Sequence, residues 1–225
     1  MPNDIYVGRL VVVGRTEDGR WAAGYRVSSR SFPNRMAVAN DAGTAVRIVP
    51  KPGFELDVQK NPYIAYNCVR VVCGGSVIVV SNGSQTDPIA EKIDAGMGVR
   101  DALALSMMAL DYEKDQLDTP RITAVADTRG DGAGWLAVVR KDGIEVRQAL
   151  GGASAANGTC HYVSTYERNT IDKDQNDAFG VKNAADVCAG LFQSGVFKTM
   201  TNGVTAVGAV QAASGFELAI QDAIA

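Results

Sequence analysis

Apolar residues along this 225-residue chain follow a strand-like pattern in most segments and a helical pattern in three. Short β-branched runs separated by turn residues predict β-strands, and neighbouring runs joined by short turns predict hairpins. The predicted strands are 5–13, 21–28, 44–49, 63–72, 76–80, 121–126, 134–140, 144–149, 162–166, 203–210 and 216–220. The runs between 63 and 80 are almost wholly apolar, which is typical of strands buried on both faces.

Helical spacing of apolar residues interrupts this pattern. The predicted helices are 84–95, 99–114 and 184–192. Pro88 suits the first position of the first helix, and Leu103, Met107 and Leu110 form a stripe along the second that predicts packing on a sheet. The predicted order is several hairpins, two consecutive helices, more hairpins and a late helix. This order differs from the regular alternation of strands and helices that builds parallel sheets. We therefore predict an α+β fold, an αββα sandwich of two mainly antiparallel sheets, in one domain spanning 1–225.

The composition describes an ordinary globular protein, with 46% apolar and 21% charged residues. A net charge of −3 argues against a broad nucleic-acid or membrane surface, so an anionic ligand requires a local basic cluster. The chain has no apolar run of membrane-spanning length and no basic-then-apolar leader, from which we expect a cytoplasmic location.

Cysteine and histidine are too few for several kinds of site. Cys68 and Cys188 lie in apolar stretches and suit a core, whereas Cys73 and Cys160 border glycine-rich turns. Without a CxxC pair, a disulfide framework or zinc site is disfavoured. His161 is the single histidine, which disfavours a Ser-His-Asp relay or a multi-histidine metal centre. Any acid–base chemistry then falls to carboxylates, tyrosines and lysines, and no metal site is predicted.

The stretch 25–35 concentrates basic and hydroxyl side chains. Its arginines, Arg26, Arg30 and Arg35, stand among three serines and supply donors suited to phosphate or carboxylate oxygens. In a strand, Arg26, Ser28 and Arg30 would share one face. A solvated strand edge with charged side chains explains the same residues equally well.

Two further segments have polar residues at positions of interest. Tyr66 lies among apolar neighbours, so its hydroxyl needs a partner, either a backbone carbonyl of the core or a ligand. The segment 81–84 precedes a predicted helix, and its backbone amides either form a capping turn or hold an oxyanion.

Asp111 and Glu113 lie near the C-terminal end of the second predicted helix, where negative charge is unfavourable for the helix dipole. A solvated helix end is the simple explanation, and retention for chemistry is the alternative. Two residues apart, the two side chains diverge by roughly 200° on a helix, so they face one pocket only if the helix ends between them.

Six segments together resemble the archaeal-type IMP cyclohydrolase family. They are YVGRLVVVGR (6–15), YRVSSRSFPNR (25–35), NPYIAYNC (61–68), VSNGSQTD (80–87), DYEKDQLDTPRI (111–122) and STYE (164–167). The resemblance covers most of the first 125 residues and is thin in the C-terminal third. It implies an Ntn-hydrolase-like four-layer αββα fold and an enzyme that acts as a homo-oligomer.

The implied reaction closes 5-formamidoimidazole-4-carboxamide ribotide (FAICAR) to IMP with loss of water, the last step of purine biosynthesis. This ring closure is neither redox nor group transfer, so we expect no metal and no organic cofactor. True N-terminal nucleophile hydrolases need a terminal Cys, Ser or Thr, whereas this chain begins Met1-Pro2-Asn3. Covalent hydrolysis through the N-terminus is therefore disfavoured, and non-covalent cyclisation fits better.

Within these segments, side-chain chemistry suggests a division of roles. The expected substrate-binding residues are Arg26, Arg30, Arg35, Asn67 and Asn82, with the arginines on phosphate or oxyanion and the asparagines on the base. Tyr66 is expected to donate to the formyl oxygen, and Glu113, helped by Asp111, to transfer protons. An amidohydrolase of the same fold and a non-catalytic purine-nucleotide-binding protein remain the alternative interpretations.

Overall fold

The computed structural model describes residues 4–151 and 155–223. Residues 1–3, on which the comparison with N-terminal nucleophile hydrolases was based, lie outside these ranges. One antiparallel sheet has six strands in the order β11-β10-β1-β2-β12-β13. Its strands are β1 (Arg9–Arg15), β2 (Trp21–Ser28), β10 (Thr159–Ser164), β11 (Asn176–Ala178), β12 (Gly203–Ala212) and β13 (Gly215–Asp222).

The second sheet has seven strands that follow one another in chain order, each antiparallel to the next. Its strands are β3 (Arg35–Ala39), β4 (Ala45–Pro50), β5 (Tyr66–Val72), β6 (Val77–Ser81), β7 (Arg121–Asp127), β8 (Ala133–Arg140) and β9 (Gly143–Gly151). Alternate side chains from both sheets, including Tyr25 and Tyr66, form the central core between them.

Helices cover the outer faces of both sheets. They are α2 (Thr86–Asp94), α3 (Val99–Leu110) and α4 (Ala184–Gln193), whereas α1 (Asp57–Lys60) is a short helix without buried residues. The second core packs α2 and α3 on the seven-stranded sheet, and the third packs α4 on the six-stranded sheet. The predicted α+β sandwich is confirmed, with a helix–sheet–sheet–helix order of layers. No helix in 4–151 or 155–223 has the length and apolar character needed to cross a bilayer.

A glycine pair lets α4 lie close to its sheet. Gly24 of β2 is directly opposite Gly208 of β12, and both face α4. A Cβ atom on Gly208 would overlap the carbonyl oxygen of Ala184, and one on Gly24 would lie 2.9 Å from Leu191 Cδ1. The absence of side chains at these two positions therefore sets the helix-to-sheet distance.

Three predicted boundaries differ from the structure for local reasons. The first strand begins at Arg9, because Gly8 has a φ of 70° and breaks the extended run. The segment predicted to start a strand at residue 63 forms a 3₁₀ turn at Pro62–Ile64, where the Asn61 side chain accepts from the Tyr63 amide. The second helix ends at Leu110, because Asp111 adopts a φ of 58°.

Other features fall outside what the sequence patterns predict. β3, α1 and β11 are missed because each is short, with three to five residues, and lacks the β-branched run that marks the equally short β6. Pro88 lies in the third position of α2 rather than the first. Cys160 lies close to the turn at residues 157–158, as predicted, and its side chain is buried on β10.

Candidate active site

Charged and hydroxyl side chains gather at one end of the sandwich, where several strands begin. Arg9 opens β1, Arg35 opens β3 and Tyr66 opens β5, while Glu113 lies in the loop that leads to β7. All four are buried, with exposed fractions between 0% and 8%. Such a concentration of buried polar groups requires mutual pairing or a ligand.

Glu113 forms a buried ion pair with Arg9. Its backbone N–H donates to Thr119 O at 2.8 Å, which fixes the loop, and its side chain is fully buried. Arg9 Nη2 donates to Glu113 Oε2 at 2.9 Å, whereas Oε1 lies 3.8 Å from Arg121 Nη1 and has no hydrogen-bond partner among the described residues. Burial raises the pKa of Glu113, an effect that Arg9 and Arg121 oppose.

Tyr66 reaches across the core to the other sheet. Its hydroxyl oxygen lies 2.5 Å from that of Tyr25, and the two rings meet edge to face with centroids 6.4 Å apart. Burial, followed by the effect of Tyr66, raises the pKa of Tyr25 well above 10, so Tyr25 stays protonated at neutral pH. The predicted need of the Tyr66 hydroxyl for a partner is met by a side chain rather than a carbonyl.

Arg9 and Arg35 both carry a buried N–H group without a partner in the described structure. Arg35 donates from Nε to Phe32 O at 3.0 Å, but its Nη1 is unpaired, and so is the Nε of Arg9. Burial lowers the pKa of Arg35, with Tyr66 and Arg9 acting on it in opposite directions. Arg35 forms no salt bridge within 4–151 and 155–223, so its charge is available for an anion.

Two connected depressions open at this end of the sandwich. The first, here called the inner cavity, has a volume of about 70 Å³ and is lined by Tyr6, Arg9, Ser28, Ser29, Ser31, Phe32, Arg35, Asn61, Ile64, Asp115, Leu117 and Tyr166. The second, here called the outer cleft, has about 360 Å³ and is lined by Ser31, Phe32, Lys60, Asn61, Pro62, Tyr63, Lys114, Asp115, Gln116 and Leu117. The inner cavity holds the buried arginines Arg9 and Arg35, and the outer cleft is the larger of the two. A cavity of about 570 Å³ under α4 lies away from these charges.

Arg30 lies at the rim of the inner cavity. Its guanidinium stacks on the Tyr6 ring at 3.9 Å, and Tyr6 stacks on Tyr166 with centroids 5.6 Å apart. Both rings line the inner cavity, and Arg30 is exposed beside them. Arg30 and Arg35 therefore lie near the same site, one outside and one buried.

The structure places Arg26 on the opposite face of β2, towards α4. Its guanidinium donates to the carbonyl oxygens of Leu191, Phe197 and Met200 and stacks on Phe192. Burial lowers the pKa of Arg26 to about 10, so it remains a cation at neutral pH. These carbonyls terminate α4 and the following 3₁₀ turn, so Arg26 caps helix ends and is not brought to the cavity.

Asn67 and Asn82 are committed to protein partners. Asn67 faces α2 and donates to both oxygens of Asp87 at 2.9 and 3.0 Å. Asn82 is fully buried, donating to Pro120 O at 3.0 Å and accepting from Ile122 N at 2.8 Å. Neither side chain lines the inner cavity or the outer cleft. Tyr66 and Glu113 do not line them either, but Glu113 contacts the lining residue Arg9.

Asp111 lies apart from Glu113, since α3 ends before both. Its carboxylate is 45% exposed and pairs with Lys114 at 2.6 Å, while its backbone oxygen accepts from Arg121 Nε at 2.8 Å. Hydrogen bonding to Lys114 lowers the pKa of Asp111. Asp111 is therefore connected to the site by its backbone hydrogen bond with Arg121.

Arg9, Arg121 and Gln85 also belong to the site, although none of them is among the residues predicted from the sequence. Gln85 accepts from Arg121 Nη1 at 3.0 Å and donates to Asn82 Oδ1 at 2.9 Å, which orients Arg121 beside Glu113. Arg9 interrupts an otherwise apolar strand, and a charge in a buried strand requires a partner, so its position was a usable signal. No three His, Cys, Asp or Glu side chains in the described ranges come together in a geometry suited to a metal ion.

Comparison with known proteins places this chain in a family. A family model described as IMP cyclohydrolase-like protein matches residues 6–215. Proteins named IMP cyclohydrolase are 43% identical over 205 residues in Methanosphaera stadtmanae (91% of this chain, 94% of that protein) and 45% over 216 in Methanocella arvoryzae (96% and 98%). The protein of that name in Methanocaldococcus jannaschii is 44% identical over 171 residues (76% and 78%).

Proposed function

The chain belongs to the IMP cyclohydrolase-like family, and we propose that it is an IMP cyclohydrolase that closes FAICAR to IMP and water. The family resemblance predicted from the six sequence segments is thereby confirmed. The Ntn-hydrolase-like relationship of the fold remains a prediction.

The reaction sets definite chemical demands on a site. The carboxamide nitrogen bonds to the formyl carbon, and the carbonyl π electrons move to the formyl oxygen. That oxygen takes one proton from the carboxamide nitrogen and one from the formamide nitrogen and leaves as water, while a C=N bond forms. A site therefore needs a proton donor, a proton acceptor, and cations for the oxyanion and the ribotide phosphate.

One observation carries the proposal: a cavity lined by buried arginines lies beside a buried tyrosine pair and a buried carboxylate. We assign Tyr66 as donor to the formyl oxygen and Glu113 as proton acceptor through its unpaired Oε1. Arg35, which has no carboxylate partner, and the rim residue Arg30 supply positive charge for phosphate or oxyanion.

The other predicted residues take supporting roles in this proposal. Asn82, through Gln85, positions Arg121 beside Glu113, and Asp111 holds the same arginine through its backbone oxygen. Asn67 anchors α2 on β5 through Asp87, and Arg26 caps α4. Their described contacts lie with protein atoms, and we propose no direct substrate contact for these four.

The test is an absorbance assay of purified protein with FAICAR in the presence of a chelator. We expect IMP to form, and Arg35→Ala and Glu113→Gln to lower its rate of formation about 100-fold. Arg129→Ala is the control, because Arg129 pairs with Asp127 at the opposite end of β7. Binding without closure would favour a nucleotide-binding protein, and release of formate would favour an amidohydrolase.

We also propose a cytoplasmic homo-oligomer. The homo-oligomer is supported by α3, whose apolar side chains Leu105 and Met108 face solvent with exposed fractions of 52% and 65%. Light scattering on the purified protein measures the assembly directly, and a monomeric mass at micromolar concentration would contradict it.

A further inference from the structure

Arg9 is a buried cation in a strand whose other side chains are mostly apolar. It opens β1, is 8% exposed and pairs with Glu113, which lies 104 positions away in the sequence. Buried ion pairs cost desolvation and are weak contributors to stability, so their retention needs another explanation. In this chain Arg9 lines the inner cavity, and Glu113 lies behind it as its ion-pair partner, which points to a functional reason.

The unpaired donors at the site belong to two different strands. Arg9 Nε on β1 and Arg35 Nη1 on β3 have no hydrogen-bond partner among the described residues, although both are buried. Unpaired buried donors are costly, and nearly all buried polar groups in folded proteins are paired. Both side chains line the same inner cavity of about 70 Å³, which admits a small group and excludes a whole nucleotide.

We propose that Arg9 is a catalytic residue of the ring closure, donating from Nε to the formyl oxygen together with Arg35 Nη1, while Glu113 fixes its guanidinium. This inference rests on the proposed function. The reacting groups of FAICAR then occupy the inner cavity, and the ribose phosphate extends into the outer cleft. Two donors from separate sheets thus define the position of one oxygen atom.

Charge at the cavity favours the transition state over the substrate. Glu113 pairs with Arg9, whereas Arg35 has no carboxylate partner among the described residues, so its positive charge beside the cavity is unpaired. The Asp115 carboxylate, which also lines the cavity, accepts hydrogen bonds from Thr119. As the carboxamide nitrogen bonds to the formyl carbon, negative charge develops on the formyl oxygen next to these donors. Fixed donors in a site poor in water stabilise such charge strongly. Tyr66 then protonates the oxygen to a hydroxyl group and regains its proton from the carboxamide nitrogen by way of Glu113. The proton of the formamide nitrogen passes to that hydroxyl, which leaves as water as the C=N bond forms.

The experiment compares wild-type protein with Arg9→Lys, using FAICAR turnover and IMP binding as separate readouts. Lysine keeps the charge and the ion pair with Glu113 but removes the Nε–H donor of the guanidinium. We expect kcat to fall about 100-fold or more while the Kd for IMP changes less than about threefold. Arg129→Lys, a surface substitution of the same type, is the control and should match wild type.

Three outcomes separate the possibilities. A raised KM with unchanged kcat would mean that Arg9 binds the phosphate or another unreactive group, and it overturns the proposal. Unchanged kcat and KM overturn it as well. If the wild-type protein itself makes no IMP, the proposed function has failed, independently of Arg9.

A second variant covers the case in which Arg9→Lys does not fold. Arg9→Gln is introduced together with Glu113→Gln, which removes both charges of the buried ion pair at once. We expect this double variant to turn over FAICAR at least tenfold more slowly than Glu113→Gln alone, with a similar Tm. Equal rates for the two would show that Arg9 has only a structural role.

Discussion

The hydroxyl oxygens of Tyr25 and Tyr66 lie 2.5 Å apart and connect the two sheets of the sandwich at the site. Tyr25 belongs to the six-stranded sheet and Tyr66 to the seven-stranded sheet. Both rings are buried, which restricts rotation of the Tyr25 side chain towards another hydrogen-bond partner. The position of the Tyr66 hydroxyl is therefore set by a residue on the opposite sheet.

Removing each hydroxyl should have a different effect on turnover. Tyr66→Phe deletes the proposed proton donor, and we expect kcat to fall about 100-fold. Tyr25→Phe deletes only the partner that orients it, and the loss of one hydrogen bond corresponds to a fall of roughly tenfold or less. Steady-state kinetics with FAICAR measure both, and a Tyr25→Phe effect as large as that of Tyr66→Phe would contradict this ranking.

Glu113 should set the acidic limb of the pH–rate profile. Only its ionised form accepts a proton, and burial raises the pKa of Glu113 above its ordinary value of 4.5. As pH falls through this raised pKa, the carboxylate is lost and kcat/KM should decline at a higher pH than an exposed glutamate would give. Rates measured across pH should show this limb in wild type, and in Glu113→Gln it should be absent from a profile about 100-fold lower.

The glycine pair under α4 makes a stability prediction. Gly208→Ala places a Cβ against the Ala184 carbonyl, so α4 must move away from β12. We expect a loss of about 2–3 kcal/mol, which corresponds to a Tm lower by roughly 5–10 °C for a chain of this size. Gly143→Ala is the matched control, because a Cβ there meets no atom within 4 Å. Equal Tm values for the two variants would disprove the close packing.

His161 should make stability fall in mild acid. Burial lowers the pKa of His161 below its ordinary 6.5, so the unfolded chain binds more protons than the folded chain in this range. The contribution is fully present above pH 6.5 and is lost as pH falls through the folded-state pKa. NMR of the imidazole gives the value directly, since this is the single histidine, and a midpoint at or above 6.5 would refute the prediction. His161→Gln should flatten the pH dependence of unfolding.

Local sequence patterns predicted most strands and the order of layers, because apolar periodicity reflects which face of an element is buried. They could not predict which polar residues meet. Arg9 and Glu113 pair across 104 positions, and nothing in either segment indicates the other. Arg26 and Arg35 look alike in the basic stretch, yet one caps α4 and the other borders the cavity. Along β2, alternation places Arg26 and Tyr25 on opposite faces of the sheet. The sequence does not show that α4 covers one of these faces and the second sheet the other.

The division of the site between the sheets also has a consequence for folding. Arg9 and Tyr25 belong to one sheet, and Arg35 and Tyr66 to the other, so neither sheet alone assembles the reacting groups. Turnover therefore requires docked sheets, and during refolding we expect activity to return no earlier than the strands form. Regained activity therefore measures the docking step, whereas circular dichroism measures the formation of the strands themselves.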